Sequence, residues 1–567
     1  MKKRSLVFIS LLSGLLMTLA WMNVMTLGFL MLIAFIPLLF VEDYIANNNS
    51  DRRFSSTAAF IYSYPAFFLF AFCNTYWISN ASMIGYLVPV AEAAFMSVVF
   101  QIYSYSKRVA NNKQGAYFFL VIYWMAFEYI QFKWDINFPW LNLGNSFASY
   151  PQLVQWYSVL GMEGGSLWIL LSNILIYFFI IWFCKDKIVF EQFNVGRDIV
   201  NITETANNLR NIFNKNKYLI FAFLIIAVPV IWSLILFYTY KDKNEKNACV
   251  LLVQPNLDPY NEQYELEPWE VIARAESIAA PLMDKNVDYL VLPESCIQEY
   301  AWENELYSVP SIESLKHFTQ SVEHCDVIAG ISTRKLLPQG VKTTAARKIP
   351  ANQNEYYESC NTALMFNKSS LQDSIQIRHK SVLVVGVEKL PFKKYLPFVE
   401  KLALNMGGTV GSLGTDKEAV SFYSPNKQIH LGVPICWESI DGNYTREFVK
   451  NGAQFLQIIT NVGWWGDTPG YKQYFAISSL RAIENRRYVS VCANTGYSGL
   501  VNAKGQTVDK GGYWQRQAFK YHIPLTEKTT FFTRHGDIIM RPFSFFAVLL
   551  LLYSVVRNKT ENHEKIK

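Results

Sequence analysis

Charged side chains are scarce in this chain. Asp, Glu, Lys and Arg make up 17% of its 567 residues, where soluble proteins carry about 25%. That shortage excludes an ordinary soluble protein. Paired metal-binding cysteines are missing as well. The eight cysteines (Cys73, Cys184, Cys249, Cys296, Cys325, Cys360, Cys436 and Cys492) form no CxxC and no Cys/His cluster in the sequence, so no zinc site of the usual spacing is expected. Two of them lie in apolar runs, so their even number does not argue for disulfides. The seven histidines are dispersed. There is no internal repeat, and no low-complexity stretch exceeds a few residues. A net charge of +7 could suit nucleic acid. Much of the basic charge lies in short loops between apolar segments, so membrane topology is the better explanation and no nucleic-acid partner is expected.

What is present is a series of apolar runs of membrane-spanning length. They lie near Ser5–Trp21, Thr26–Val41, 57–77, 83–104, 115–131, 162–184, 218–240 and 537–556. The first follows Met-Lys-Lys-Arg like a signal peptide, but a second span follows at once with no clear A-x-A cleavage site. The two read as an uncleaved helical hairpin. With the N-terminus in the cytoplasm, the inside loops carry Lys2, Lys3 and Arg4; Arg52 and Arg53; Lys107, Arg108 and Lys113; and Lys185, Lys187, Arg197, Arg210, Lys215 and Lys217. The tail adds Arg557 and Lys559, and among the short outside loops Lys133 is the exception. This is the asymmetry of the positive-inside rule. The expected organisation is transmembrane helices one to seven over 1–240, an extracytoplasmic domain over 241–536, and a last span with a cytoplasmic tail over 537–567. Glu92, Glu128 and Glu163 fall in or beside spans, where a carboxylate usually faces the bundle interior in a functional or a structural role. The aromatic outside loop 132–161, with Pro139, suits a segment lying at the membrane interface.

Segment 241–536 reads as one α/β domain. Strand-like runs recur as ACVLLVQP, VDYLVLPE, DVIAGIST, NTALMFN, QIRH, IHLGVPIC, AQFLQIIT and YVSVCAN. Charged, helix-like stretches such as Glu267–Lys285 and Tyr474–Arg487 lie between several of them. That alternation argues for sheets covered by helices.

Three strand ends carry reactive groups. Leu290-Val-Leu-Pro-Glu294 ends in a carboxylate, Ile375-Gln-Ile-Arg-His-Lys380 in an ammonium, and Leu431-Gly-Val-Pro-Ile-Cys436 in a thiol. Each alone reads as easily as a turn, a solvated end or a core residue. Together they supply a base, a cation and a nucleophile. A thiol attacks carbonyls only as a thiolate. Glu294 can take its proton, and Lys380 with the Trp437 N–H can stabilise an oxyanion. The order Glu, Lys, Cys resembles the nitrilase (carbon–nitrogen hydrolase) superfamily. With the membrane spans added, the chain resembles the apolipoprotein N-acyltransferase family over nearly its whole length. The matching motifs are FPWLNLG at 138–144, GMEGG at 161–165, VQPN at 253–256, LPES at 292–295, the Lys380 region, PICWES at 434–439, TNVGWWGD at 460–467 and RAIENRR at 481–487.

The resemblance implies a polytopic α-helical membrane bundle of about eight spans plus an α/β nitrilase-like αββα sandwich domain. It implies a Glu294–Lys380–Cys436 triad, with Glu388 and Glu438 as further essential carboxylates and no metal or cofactor. It implies acyl transfer from a phospholipid donor to the α-amino group of a diacylated lipoprotein acceptor, at a bacterial inner membrane with the catalytic domain in the periplasm. Val385-Gly386-Val387-Glu388 departs from the family's Pro–Phe–Gly–Glu run, and Trp437 stands where tyrosine is usual. Trp464 and Trp465 would form an aromatic loop near the site. Pro391–Phe398, mixing aromatics and lysines, suits an arm at the lipid surface or a plain surface loop. A membrane-tethered amidase shares the triad, though a tether needs one span rather than eight. A non-catalytic receptor or transporter would leave the triad unexplained. On this topology, reporter fusions after Asn112 and after Lys243 report opposite sides of the membrane; same-side signals would sink the eight-span arrangement.

Overall fold

The computed structural model describes residues 3–22, 27–48, 54, 57–184, 217–241, 246–263, 265–349, 352–392 and 412–566. Helices α1 (Lys3–Trp21), α2 (Ile36–Asn47), α3 (Ala58–Thr75), α4 (Ile78–Ala81), α5 (Leu87–Val109), α6 (Phe119–Lys133), α7 (Tyr157–Cys184) and α8 (Lys217–Thr239) come first. Seven stretches among the described residues are long and apolar enough to cross a membrane: Lys3–Trp21, Gly28–Asn47, Ala58–Thr75, Met83–Val109, Tyr157–Phe183, Leu219–Thr239 and Met540–Thr560. The span expected at 115–131 is α6, only 15 residues long but extended by a 3-10 turn, Gly115–Phe118. The two together reach roughly 30 Å, about the thickness of a bilayer's hydrocarbon core. Lys2, Arg52, Arg53, Lys185, Lys187, Arg197, Arg210 and Lys215 of the expected inside loops lie outside the described residues.

The bundle packs its polar groups inward, as apolar surroundings require. Lys107 of α5 sits between Glu42 and Asp43 of α2, and the Tyr117 and Tyr177 hydroxyls also donate to Asp43. Ser104 donates to Glu42 at 2.9 Å. Glu92 accepts from Gln131 at 2.9 Å, and Glu128 from Trp124 and the Leu143 N–H. Glu163 accepts from Asn443, far along the chain.

The aromatic stretch 132–161 turns much of its apolar surface inward. Phe138, Trp140, Leu143, Phe147 and Trp156 are all buried. Packing between the bundle and the following domain removes more of their apolar surface from water than an interfacial position would.

The strands of that domain are β1 (Asn247–Gln254), β2 (Tyr289–Val291), β3 (Ile297–Trp302), β4 (Asp326–Leu336), β5 (Arg347–Ile349), β6 (Asn352–Asn367), β7 (Gln376–His379), β8 (Phe422–Ser424), β9 (Ile429–Gly432), β10 (Phe455–Thr460), β11 (Val489–Ala493), β12 (Gly499–Val501), β13 (Thr507–Lys510) and β14 (Gln517–Pro524). They form two sheets. One has the order β14-β1-β2-β4-β6-β5, with β3 also on β4 and β7 on β6; the other is β13-β12-β11-β10-β9-β8. The β1, β2 and β4 core of the first is parallel, as is β9-β10-β11 in the second. Helices α9 (Pro268–Ala279) and α10 (Pro310–Phe318) cover the first sheet. Helices α11 (Gly442–Lys450) and α12 (Pro469–Asn485) cover the second.

Alternation along each strand builds the layers. In β1, Ala248, Val250 and Leu252 face the second sheet, while Cys249, Leu251 and Val253 face α9. In β10, Phe455 and Ile459 join the inter-sheet core, while Leu456 and Ile458 meet the α12 side. The result is the nitrilase-like αββα sandwich. The apolar core under α11 and α12 runs without interruption into the membrane bundle. A short helix, α13 (Phe531–His535), packs on α7, and α14 (Met540–Ile566) closes the chain against α6.

Gly161 kinks α7 at φ 67°, where a Cβ would meet the Glu163 carboxylate at 2.1 Å and the Phe532 ring at 2.4 Å. Replacing Lys107 by methionine leaves two buried carboxylates without their cation. The expected cost is about 3–5 kcal/mol, read as a large fall in the thermal midpoint of the detergent-solubilised protein. An unchanged midpoint would refute the pairing.

Candidate active site

The thiol sits on a strained turn. β9 ends at Gly432, and Ile435 still bridges to Ile459 of β10. Cys436 then takes φ 46°, a left-handed conformation that non-glycine residues rarely adopt. It opens a short 3-10 helix, Cys436–Ile440. The turn is held from both sides. Tyr474 of α12 and Ser439 each donate a hydroxyl to the Cys436 carbonyl at 2.9 Å. The Glu438 carboxylate accepts from the Ile435 N–H at 2.7 Å and the Ser381 N–H at 2.6 Å, and takes both terminal nitrogens of Arg378 at 2.8 Å. Glu438 therefore brackets the thiol turn to the lysine turn. The N–H of Trp437 lies in the first turn of the 3-10 helix, where backbone donors lack intrahelical acceptors.

The lysine turn follows β7 directly. Lys380 is 1% exposed and donates to Glu294 at 3.0 Å and to Glu388 at 2.9 Å. Asn361 of β6 donates to the same two carboxylates, at 2.8 and 3.0 Å. The second oxygen of Glu294 accepts the Asn461 N–H at 2.9 Å, and that of Glu388 the Val384 N–H at 2.9 Å. Glu294 lies three residues beyond β2, before Ser295 at φ 54°. Gly330 of β4 passes beneath this turn so closely that a Cβ would lie 2.5 Å from the Ser295 nitrogen. The structure thus brings Glu294, Lys380 and Glu388 into contact and holds Cys436 within their field.

Burial opposes charge on Lys380, but Glu294 and then Glu388 outweigh it and hold the ammonium well above the usual lysine range. Burial, and next the charge of Glu294, push the Cys436 thiol up to about 12, against the opposing pull of Lys380. The thiol is therefore neutral at rest.

Aromatic walls come from both parts of the chain. Trp437 stacks on Trp140, with ring centres 5.6 Å apart and planes 8° from parallel, and Phe138 lies 5.6 Å from it. Trp465 meets Trp77 at 4.3 Å, and Trp77 meets Trp140 at 4.9 Å. Trp464 packs edge-on against Tyr260 at 5.2 Å. The Tyr260 hydroxyl lies 2.7 Å from the carbonyls of both Asn80 and Trp464, and Asn80 donates to the Trp465 carbonyl at 2.9 Å. Sequence reasoning passed over Arg378, Asn361, Trp77, Tyr260 and Asn80. The QIRH run contained Arg378, but no pattern named its partner. The expected lipid-surface arm at Pro391–Phe398 lies, from residue 393, outside the described residues.

Comparison with known proteins matches both parts. Residues 13–175 match the family described as Apolipoprotein N-acyltransferase N-terminal domain, and residues 250–528 match Carbon-nitrogen hydrolase. The chain is 27% identical over 559 residues to the apolipoprotein N-acyltransferase of Chlorobaculum tepidum, covering 97% of each chain. It is 22% identical to that of Geobacter metallireducens, covering 89% of this chain and 87% of the relative. Among solved structures, an amidase from Nesterenkonia sp. aligns over 52% of this chain and 96% of its own, at 12% identity and a TM-score of 0.34. With one match on the bundle, another on the sandwich and relatives aligned nearly end to end, the chain belongs to the apolipoprotein N-acyltransferase family.

Proposed function

We propose that this acyltransferase moves an acyl chain from a phospholipid to the α-amino group of the S-diacylglyceryl N-terminal cysteine of a lipoprotein, through a thioester on Cys436. The observation that carries the reading is the buried ammonium of Lys380 between Glu294 and Glu388, beside a buried thiol whose chain neighbour Trp437 stacks on Trp140 of the bundle. The same reading places the catalytic domain, 241–536, on the periplasmic side of the inner membrane, between helices of 1–240 and a last span in 537–567. The basic loops support that orientation.

Glu294 takes the thiol proton as the sulfur attacks the ester carbonyl. The oxyanion that develops faces the Trp437 N–H and the Lys380 ammonium. Two of the three ammonium protons are engaged by Glu294 and Glu388, which leaves one for the oxyanion. The C–O bond to the glycerol breaks, and the proton on Glu294 passes to the departing alkoxide. A lysophospholipid leaves and the acyl group stays on sulfur. The lipoprotein amine then attacks the thioester. Glu294 accepts its proton, the C–N bond forms, the C–S bond breaks and the proton returns to sulfur. Separating the halves means the two large lipids need not occupy the site together. Trp437, Trp464 and Trp465 are suited to keep water from the thioester in between. Glu388 positions Lys380, and Glu438 positions the turns.

Glu294→Gln keeps the shape of the side chain but cannot accept the thiol proton. The same variant should lose acyl transfer by about a hundredfold or more. Near-normal transfer by this variant would remove Glu294 from the mechanism. Incubating the protein with phospholipid alone should add one acyl mass to the Cys436 peptide, removable by neutral hydroxylamine, and Cys436→Ser should form no such thioester. If water discharges the adduct as fast as a diacylated lipopeptide does, the tethered amidase is the better account.

A further inference from the structure

The strand that delivers Lys380 carries a second ionic site on its opposite face. Alternation in β7 sends Arg378 and Lys380 toward the thiol and His379 away from it. His379 is buried, and both its ring nitrogens meet carboxylates: Nδ1 lies 2.7 Å from Asp416 and Nε2 2.7 Å from Glu303. Its backbone N–H also donates to Asp416 at 2.7 Å. A neutral imidazole has one N–H and one lone pair, and the lone pair would confront an acceptor oxygen. Only the imidazolium donates at both ends.

A metal ion fits these atoms less well. Glu303, Cys360 and His379 lie within 4.8 Å of one another. Zinc bonds of about 2.0–2.1 Å would hold ligand atoms roughly 3.3 Å apart at tetrahedral angles, wider than the 2.7 Å contact seen between Nε2 and Glu303.

The clamp closes a circuit with the active site. Asp416 lies in the stretch 412–416. Within it the Leu413 N–H donates to the Glu388 carbonyl at 3.0 Å, and the Gly414 N–H to the Ser359 carbonyl at 2.8 Å. Glu388 in turn holds the ammonium of Lys380. We propose that His379 is a positioning residue whose imidazolium ties segment 412–416, through Asp416, and the loop after β3, through Glu303, to the base of Lys380, and so fixes Glu388 against that ammonium. The proposal rests on the assignment of Lys380 and Glu388 to the reaction.

The charged neighbours are few. On β4, Thr333 donates to Glu303 and Lys335 acts on it electrostatically; on β6, Cys360 and Glu358 lie in the same field; on β7 itself stand Arg378 and Lys380. Burial disfavours the imidazolium, but the bonds to Asp416 and then Glu303 win and raise its pKa from the usual 6.5 to about 9. A raised pKa stabilises the protonated form. The clamp is therefore fully made below about 6.5, the unperturbed histidine value, and is lost as pH rises through about 9.

The test compares the full-length protein with His379→Gln and Asp416→Asn in phospholipid vesicles. At pH 7.5, hydrogen exchange of the Leu413 and Gly414 amides should quicken in His379→Gln. The rate of Cys436 thioester formation should fall roughly tenfold or more, with half-saturating phospholipid changed less than about twofold. The wild-type rate should drop as pH passes about 9, Asp416→Asn should drop at lower pH, and His379→Gln should show no such drop. Unchanged exchange, or one pH profile shared by all three proteins, overturns the clamp. If His379→Gln does not fold, the displaced profile of Asp416→Asn decides. The exchange readout needs no turnover, so it judges the clamp even where no thioester forms on Cys436, a result that would count against the acyl-enzyme mechanism itself.

Discussion

A buried ammonium dictates the arrangement around it. Taking Lys380 out of water costs several kcal/mol, repaid only by close, well-aligned opposite charge. Two carboxylates supply it, and both are themselves anchored. Asn361 donates to each, and the Asn461 and Val384 N–H groups hold their outer oxygens. Two formal negative charges against one positive leave the cluster short of a cation. Burial first, and that deficit second, keep the proton on the thiol beside it: a thiolate would add another negative charge to a dry site. On the proposed mechanism the cluster exchanges a proton when a carbonyl arrives, and the oxyanion then takes up part of the ammonium's charge.

The membrane bundle builds part of this site. The layer over the second sheet, α11 and α12, shares one apolar core with the spans. Glu163 of α7 accepts from Asn443 of α11, and Trp140 donates to Gln473 of α12 while its ring stacks on Trp437. A soluble sandwich of the same topology would need its own cover for Trp437. Here the cover is the loop between α6 and α7, so the wall beside Cys436 is set by the membrane-spanning part of the chain.

How much of this was legible follows from what kind of information each feature needs. The three reactive strand ends could be read because each sits beside a long apolar run, and strand and residue type together suggest a cleft. The eight long strand-like runs are all strands. The short or polar ones, β3, β5, β8, β12 and β13, carried too little alternation to stand out, whereas β14, with Phe519-Lys520-Tyr521-His522-Ile523, alternates and was passed over. The partner of Arg378 was not legible. Periodicity tells which face a side chain takes, while the carboxylate it meets, Glu438, comes from another strand end and only tertiary packing chooses it. His379 was passed over for the same reason, since Glu303 and Asp416 lie 76 and 37 residues away in the chain. The burial of the aromatic loop between bundle and sandwich was not legible either, because tryptophan is as much at home in a buried interface as at a membrane surface.

The positive φ of Cys436 connects these points. Such a conformation costs about 1–3 kcal/mol and persists only where its surroundings over-determine it. They do so here. Its carbonyl is pinned by two hydroxyls, the bridge at Ile435 precedes it, and Glu438 two residues on gathers bonds from the turn, from β7 and from Ser381. The bonds that hold the strain are also the bonds that set the distance between the thiol turn and the lysine turn. Relaxing one would release the other, so the Glu438 carboxylate is necessary to the geometry of both turns.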